Sequence, residues 1–223
     1  MGTYFGGVNY FNPEYEIYTR YSYSSNEKKG LSNPVVGRTI EDRDGNLWIG
    51  TEGGGLNYYN RRTREFKWYR PQEGRNSISH NNVKALYYDA DKEIIWIGTH
   101  LGGLNKLDIR SGHFTHYRME EGNPNTLPSD IIRDIIPYKS LLIIATQNGV
   151  CLFDPANGQC QQLFKDSKEG KSIKMVADVT FDSEGTLWIA ATGEGVFSYR
   201  FDTCRLTNYR HDATNRTVSA ITM

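Results

Sequence analysis

Short apolar strands separated by polar turns run the length of the chain, and one strand returns at a fixed interval. Leu47-Trp48-Ile49-Gly50-Thr51, Ile95-Trp96-Ile97-Gly98-Thr99, Leu142-Ile143-Ile144-Ala145-Thr146 and Leu187-Trp188-Ile189-Ala190-Ala191 align on sight. The opening Met1-Gly2-Thr3 matches the end of the same segment. The small anchor residues Gly2, Gly50, Gly98, Ala145 and Ala190 stand 48, 48, 47 and 45 residues apart. Self-similarity at such a period is the mark of a repeat architecture.

More of the unit repeats around each anchor. A small-residue turn and another strand follow it, as in Gly54-Gly55-Leu56-Asn57-Tyr58, Gly102-Gly103-Leu104-Asn105-Lys106, Gly149-Val150-Cys151-Leu152 and Gly195-Val196-Phe197-Ser198-Tyr199. A further strand ends in an aromatic: Phe66-Lys67-Trp68-Tyr69, Phe114-Thr115-His116-Tyr117 and Leu206-Thr207-Asn208-Tyr209, with a degenerate copy at Cys160-Gln161-Gln162-Leu163. Apolar strands over Val36 to Asp42, Val83 to Asp89, Ile132 to Pro137 and Val176 to Asp182 precede the Trp strand. Asp42-Arg43-Asp44-Gly45-Asn46 and Asp182-Ser183-Glu184-Gly185-Thr186 are the turns that join two of them to it.

Each unit therefore reads as four antiparallel strands with apolar residues on both faces, which one sheet cannot bury alone. Stacking such sheets radially buries both faces, and the expected fold is an all-β propeller of four-stranded blades, about five repeats in one domain or segment over 1–223. The repeats fall at about 1–34 (partial), 35–82, 83–130, 131–175 and 176–217, with the first strand of a next blade at 218–223. The chain begins inside a second strand and ends on a first one. A ring closed by a blade shared between the termini fits this, and so does an arc cut from a larger propeller. An open arc would expose apolar blade faces and favour self-association, for example as a homodimer. The Trp or Ile of the second strand is expected between blades, and the Gly or Ala anchor permits close approach of neighbouring sheets.

Composition narrows the function classes. Fifteen Tyr, nine Phe and four Trp among 22 Gly suit a β protein. Lys plus Arg and Asp plus Glu both number 26, so no net field draws the chain to nucleic acid or an anionic membrane. The Arg61-Arg62-Arg64 cluster reads as a solvated tip. Cys151 and Cys160 fall on two strands of one hairpin, which permits a disulfide; buried thiols in core slots are the simpler reading. No apolar run approaches the roughly 18 residues of a membrane span, and no signal peptide is visible.

Little conventional chemistry is visible. Gly53-Gly54-Gly55 is followed by a strand where a phosphate loop needs a helix, so it is a hairpin turn. His113 and His116 lie on one strand and point to opposite faces, a poor chelate. No metal or cofactor is expected. A glycosidase needs two facing carboxylates, and a lyase needs a base such as His with an acidic or metal partner. Glu52, His100 and Glu194 are the loop candidates for such work.

A ligand site, if present, belongs on the face that carries the turns between second and third strands. That face collects Tyr4, Phe5, Glu52, His100, Leu101, Gln147, Asn148, Thr192 and Glu194, while the channel-lining strands offer Arg38, Lys84, Arg133, Asp134 and Asp178. Aromatic faces with planar polar groups suit sugars.

The run from Asp42 to Asn57, Asp-x-x-Gly-Asn-Leu-Trp-Ile-Gly-Thr-x-Gly-Gly-Gly-Leu-Asn, resembles the two-component regulator propeller repeat. That repeat builds the extracytoplasmic sensor region of hybrid two-component regulators in glycan-degrading gut bacteria. The resemblance implies a non-catalytic periplasmic sensor segment recognising polysaccharide-derived oligosaccharides. Its partners would be the rest of the parent sensor, a second propeller and a β-sandwich. Membrane helix, histidine kinase and DNA-binding parts would lie in the parent, so this segment would contact neither nucleic acid nor membrane itself. A propeller polysaccharide lyase or glycoside hydrolase, and a protein–protein scaffold, are the alternatives.

Overall fold

The computed structural model describes residues 2–3, 7–12, 17–165, 170 and 173–210. It contains five antiparallel sheets in chain order, the first of three strands and the others of four. Strands β1 (Gly2–Thr3), β2 (Gly7–Asn12) and β3 (Ile17–Tyr21) form the first. Blade two is β4 (Val36–Glu41), β5 (Leu47–Thr51), β6 (Gly55–Asn60) and β7 (Glu65–Tyr69). Blade three is β8 (Val83–Asp89), β9 (Ile94–Thr99), β10 (Leu104–Asp108) and β11 (His113–Tyr117). Blade four is β12 (Ile132–Tyr138), β13 (Leu141–Thr146), β14 (Gly149–Phe153) and β15 (Cys160–Gln162). Blade five is β16 (Val176–Phe181), β17 (Leu187–Ala191), β18 (Gly195–Arg200) and β19 (Arg205–Tyr209). The first strand expected over 218–223, and with it the choice between ring and arc, lies outside the described residues.

Within each blade every strand pairs with its chain neighbour, so the sheet is a meander whose first strand is innermost. Successive inner strands β4, β8, β12 and β16 lie beside one another. The core sits between blades. Trp48 and Leu56 of blade two pack with Val83, Leu86, Ile95 and Ile97 of blade three. Trp96 and Leu104 meet Ile132, Ile135, Ile144 and Phe153 of blade four, and Ile143 and Val150 meet Val176, Val179 and Ile189 of blade five. Both faces of β5, β9 and β13 are thereby removed from water, whereas Trp188 and Ala190 on the outer face of β17 stay partly exposed; burial of apolar surface is the main driving force for stacking.

The anchor glycines mark where blades come closest. A Cβ on Gly50 would stand 2.6 Å from Val83 Cγ1, and one on Gly98 would stand 2.5 Å from Ile132 Cγ2. Each neighbour belongs to the next blade's inner strand, so a side chain there would push the sheets apart.

The remaining motif residues tie blade turns to the backbone. Thr51 Oγ1 donates to the Gly55 carbonyl at 2.9 Å, Thr99 Oγ1 to Gly103 at 2.9 Å and Thr146 Oγ1 to Gly149 at 2.8 Å. Buried Asn57 accepts from Ser32 N at 2.8 Å through Oδ1, and Asn105 accepts from Ser79 N at 2.9 Å in the same way. The Gly-Thr-x-Gly-Gly-Gly-Leu-Asn pattern is therefore a framework that closes the entry loop onto its own blade.

Candidate functional site

The inner strands of the four-stranded blades, β4, β8, β12 and β16, each carry an irregularity at the same height. Pairing between first and second strands shifts between Val36 and Thr39, Val83 and Ala85, Ile132 and Asp134, and Val176 and Asp178. One extra residue on the inner strand is a β-bulge, which bends the strand and re-aims a side chain. Aligned on Val36, Val83, Ile132 and Val176, the slots that follow hold Gly37, Lys84, Arg133 and Ala177, then Arg38, Ala85, Asp134 and Asp178.

These slots line a cavity of about 470 Å³ in the channel, walled by Gly37, Arg38, Lys84, Arg133, Ala177 and Asp178. All four complete blades contribute to it. Four of the expected site residues, Arg38, Lys84, Arg133 and Asp178, thus stand around one space. Gly37 and Ala177 were not expected there. Their signal is in the strand alignment, since they occupy the same slot as Lys84 and Arg133.

The charges pair across the channel. Arg38 Nη2 donates to Asp134 Oδ1 at 3.0 Å and to Asp178 Oδ1 at 3.2 Å. Buried Asp134 also accepts from Ile135 N at 2.9 Å. Burial pushes the Asp134 carboxyl up to about 6, helped by its hydrogen bond to Asp178 and opposed by Arg38. Hydrogen-bonded to each other and held by one arginine, these two carboxyls lack the roughly 5–9.5 Å separation that places a glycoside between two catalytic carboxyls.

At the channel mouth one residue per blade occupies an equivalent position after the anchor strand: Glu52, His100, Gln147 and Thr192. Their backbone N–H groups donate to Val35 at 3.0 Å, Asn82 at 2.9 Å, Ile131 at 3.0 Å and Met175 at 3.1 Å. Each carbonyl sits just before the inner strand of the same blade, and Glu52 and His100 also bridge to Asn82 and Ile131 at the start of the next blade's inner strand. Glu52 accepts an ion pair from Lys84 of the next blade. His100 follows β9 beside Lys84 and Arg133. Burial, then Arg133 and Lys84, push its imidazole below the usual range, with Glu52 opposing. His80 is lowered by burial and by His100 and Arg118.

The other expected residues stand apart from this cluster. Asn148 donates to the Pro128 carbonyl at 3.3 Å, and its own carbonyl accepts from Gln162 Nε2 at 3.2 Å. Glu194 pairs with Arg210. Leu101 is exposed. Tyr4 and Phe5 lie outside the described residues. His116 Nε2 donates to the Ser77 carbonyl at 2.8 Å, and His113 is exposed on the same strand.

Four meandering sheets around a channel define the class: this is a β-propeller segment. Residues 30–53 and 77–100 match the family model described as two component regulator propeller. Similar solved structures include the extracellular domain described as that of the hybrid two component system BT3049 from B. thetaiotaomicron. It is 23% identical with a TM-score of 0.75, covering 92% of this chain and 27% of that one. The extracellular domain of the one component system BT4673 from the same organism is 22% identical with a TM-score of 0.76, covering 95% and 29%. PorZ, a surface component of the type-IX secretion system of Porphyromonas gingivalis, is 18% identical with a TM-score of 0.66, covering 88% and 29%. At these identities the likeness is one of fold, and the chain spans less than a third of each. No curated protein sequence matches it.

Proposed function

We propose that this chain is the ligand-binding propeller segment of an extracytoplasmic sensor in a two-component signalling protein, and that it binds polysaccharide-derived oligosaccharides without chemical turnover. The observation that carries this reading is the contrast within one repeat. Framework positions recur from blade to blade, whereas the bulge slot changes from Gly37 to Lys84 to Arg133 to Ala177 around a single cavity. A site built from equivalent, divergent positions on a rigid scaffold is how a repeat fold encodes ligand choice. A cavity of this size is in the range that holds a small organic ligand.

Signal output belongs to the parent protein, with a periplasmic location for this segment, a membrane helix and a histidine kinase beyond it. A bound sugar would favour one arrangement of this propeller with the remaining sensor domains, and that difference in affinity is the signal. Calorimetry against a panel of plant and host oligosaccharides tests the reading. One sugar class should bind and be recovered intact. Consumption of the bound sugar, abolished by His100→Ala or Glu52→Gln, would replace the sensor with an enzyme.

A further inference from the structure

Three cations line the channel cavity, and their counterions are unevenly shared. Arg38 has Asp134 and Asp178, and Lys84 has Glu52. Arg133 has no hydrogen-bond or ion-pair partner among the described residues, although it is half-buried and borders Asp134 in the chain. A guanidinium keeps its charge at any working pH and offers five donors. Leaving all five without a protein acceptor in a partly enclosed site is unfavourable compared with pairing them.

The surroundings sharpen the imbalance. Lys84 fills the same slot one blade back, and His100 lies close enough to both cations for them to disfavour its charged form. Beyond it stand His80 and Arg118. Across the channel the matching slots are Gly37 and Ala177, whose side chains carry no polar atom and leave open volume. The mouth between blades three and four is thus positive, partly desolvated and facing a cavity. His100 Nδ1, moreover, is buried without a hydrogen-bond partner among the described residues.

We propose that Arg133, flanked by Lys84 and His100, forms a subsite for an anionic oxygen group carried on a sugar: the carboxylate of a uronic acid or a sulfate ester. The proposal rests on the glycan-binding reading above and names its ligand class. The planar guanidinium fork matches such a group through two parallel charge-assisted bonds. Lys84 adds a point charge already positioned by Glu52. An anion at this place also relieves the repulsion on His100 and raises its affinity for a proton.

Calorimetry at low and high salt, with trigalacturonate, sulfated N-acetylglucosamine, maltotriose and sodium sulfate as probes, tests it. The acidic sugars should bind more tightly than maltotriose and weaken as salt rises. Arg133→Gln should weaken them about tenfold or more, while Arg133→Lys keeps part of the affinity. The His100 ring resonances should move to a higher titration midpoint when the acidic sugar is bound. The variants' melting curves report folding, and Lys84→Met supplies the same comparison should Arg133→Gln not fold. Acidic sugars binding no better than maltotriose, or unaffected by Arg133→Gln, would overturn the subsite. Tight maltotriose binding in that case would leave the sensor reading standing. Sulfate alone binding at Arg133, with no sugar bound, would overturn the sugar ligand and the glycan reading together.

Discussion

Asp42 holds a whole turn together. Its Oδ1 accepts from Asp44 N at 3.1 Å and Asn46 N at 2.9 Å, and its Oδ2 accepts from the Trp48 indole at 3.0 Å. Asp182 repeats the arrangement with Glu184, Thr186 and Trp188, and the Trp188 N–H leads the contacts that hold its carboxyl below the usual range. Blade three departs from it. Asp89 precedes Trp96 by seven residues where the other two pairs are six apart. Its carboxylate turns to Lys92, and the Trp96 indole N–H is buried without a hydrogen-bond partner among the described residues. In blade four both members are gone, with Tyr138 and Ile143 in their places, so Asp and Trp behave as one unit. Asp42→Ala should cost about 1–3 kcal/mol, measured by urea unfolding, because it strips two backbone N–H groups and an indole of their acceptor. Trp48→Phe should cost about 1 kcal/mol more than Trp96→Phe, since the latter has no hydrogen bond to lose. Equal costs would mean that the indole bond contributes nothing.

The β14–β15 hairpin is the most degenerate element, and its cysteines account for part of that. Cys151 lies opposite Gln162 and Cys160 opposite Phe153, so the two are diagonal neighbours on one face. Both are buried, and their Sγ atoms stand 2.9 Å apart. Burial, then the Cys160 thiol, pushes the Cys151 thiol well above its ordinary range. The reduced, folded chain should therefore react with iodoacetamide at exposed Cys204 and not at this pair, as read by peptide mass mapping. A disulfide needs Sγ atoms about 2.05 Å apart, a shift of under about 1 Å from this arrangement. Refolding in a glutathione redox buffer, with glutathione disulfide as oxidant, should yield a Cys151–Cys160 bond and a loss of two hydrogens. A product bonded through Cys204 would contradict the placement of these strands. The hairpin's existence was readable from its Gly149 turn and apolar run. The closeness of its thiols was not, because diagonal contact depends on sheet twist.

Across the whole molecule, what could be read from sequence was what repeats. Strand order, anchor glycines and the channel-lining set follow from superposing copies, because each copy solves the same burial problem. Pairing between copies does not repeat and was not readable: Arg38 reaches carboxylates 96 and 140 residues away. Nor does alternation alone reveal the bulge that sets Gly37, Lys84, Arg133 and Ala177 at one height. The Arg38 bridge ties blade two to blades four and five, and it carries a pH signature. Asp134 is pushed up to about 6, above the roughly 3.9 of an unfolded chain, so the folded state binds its proton more tightly. That proton's contribution to stability is complete below about pH 4 and is lost as pH rises through about 6. Arg38 opposes the rise, so Arg38→Met should move the loss to higher pH and enlarge it, on the order of 1–3 kcal/mol between about pH 5 and pH 8. Thermal melts across that range measure the effect. Asp134→Asn in the Arg38→Met background should flatten the profile again, because the titrating group is gone. If Arg38→Met and the unaltered chain lose stability in parallel as pH rises, the arginine does not hold the two carboxylates across the channel.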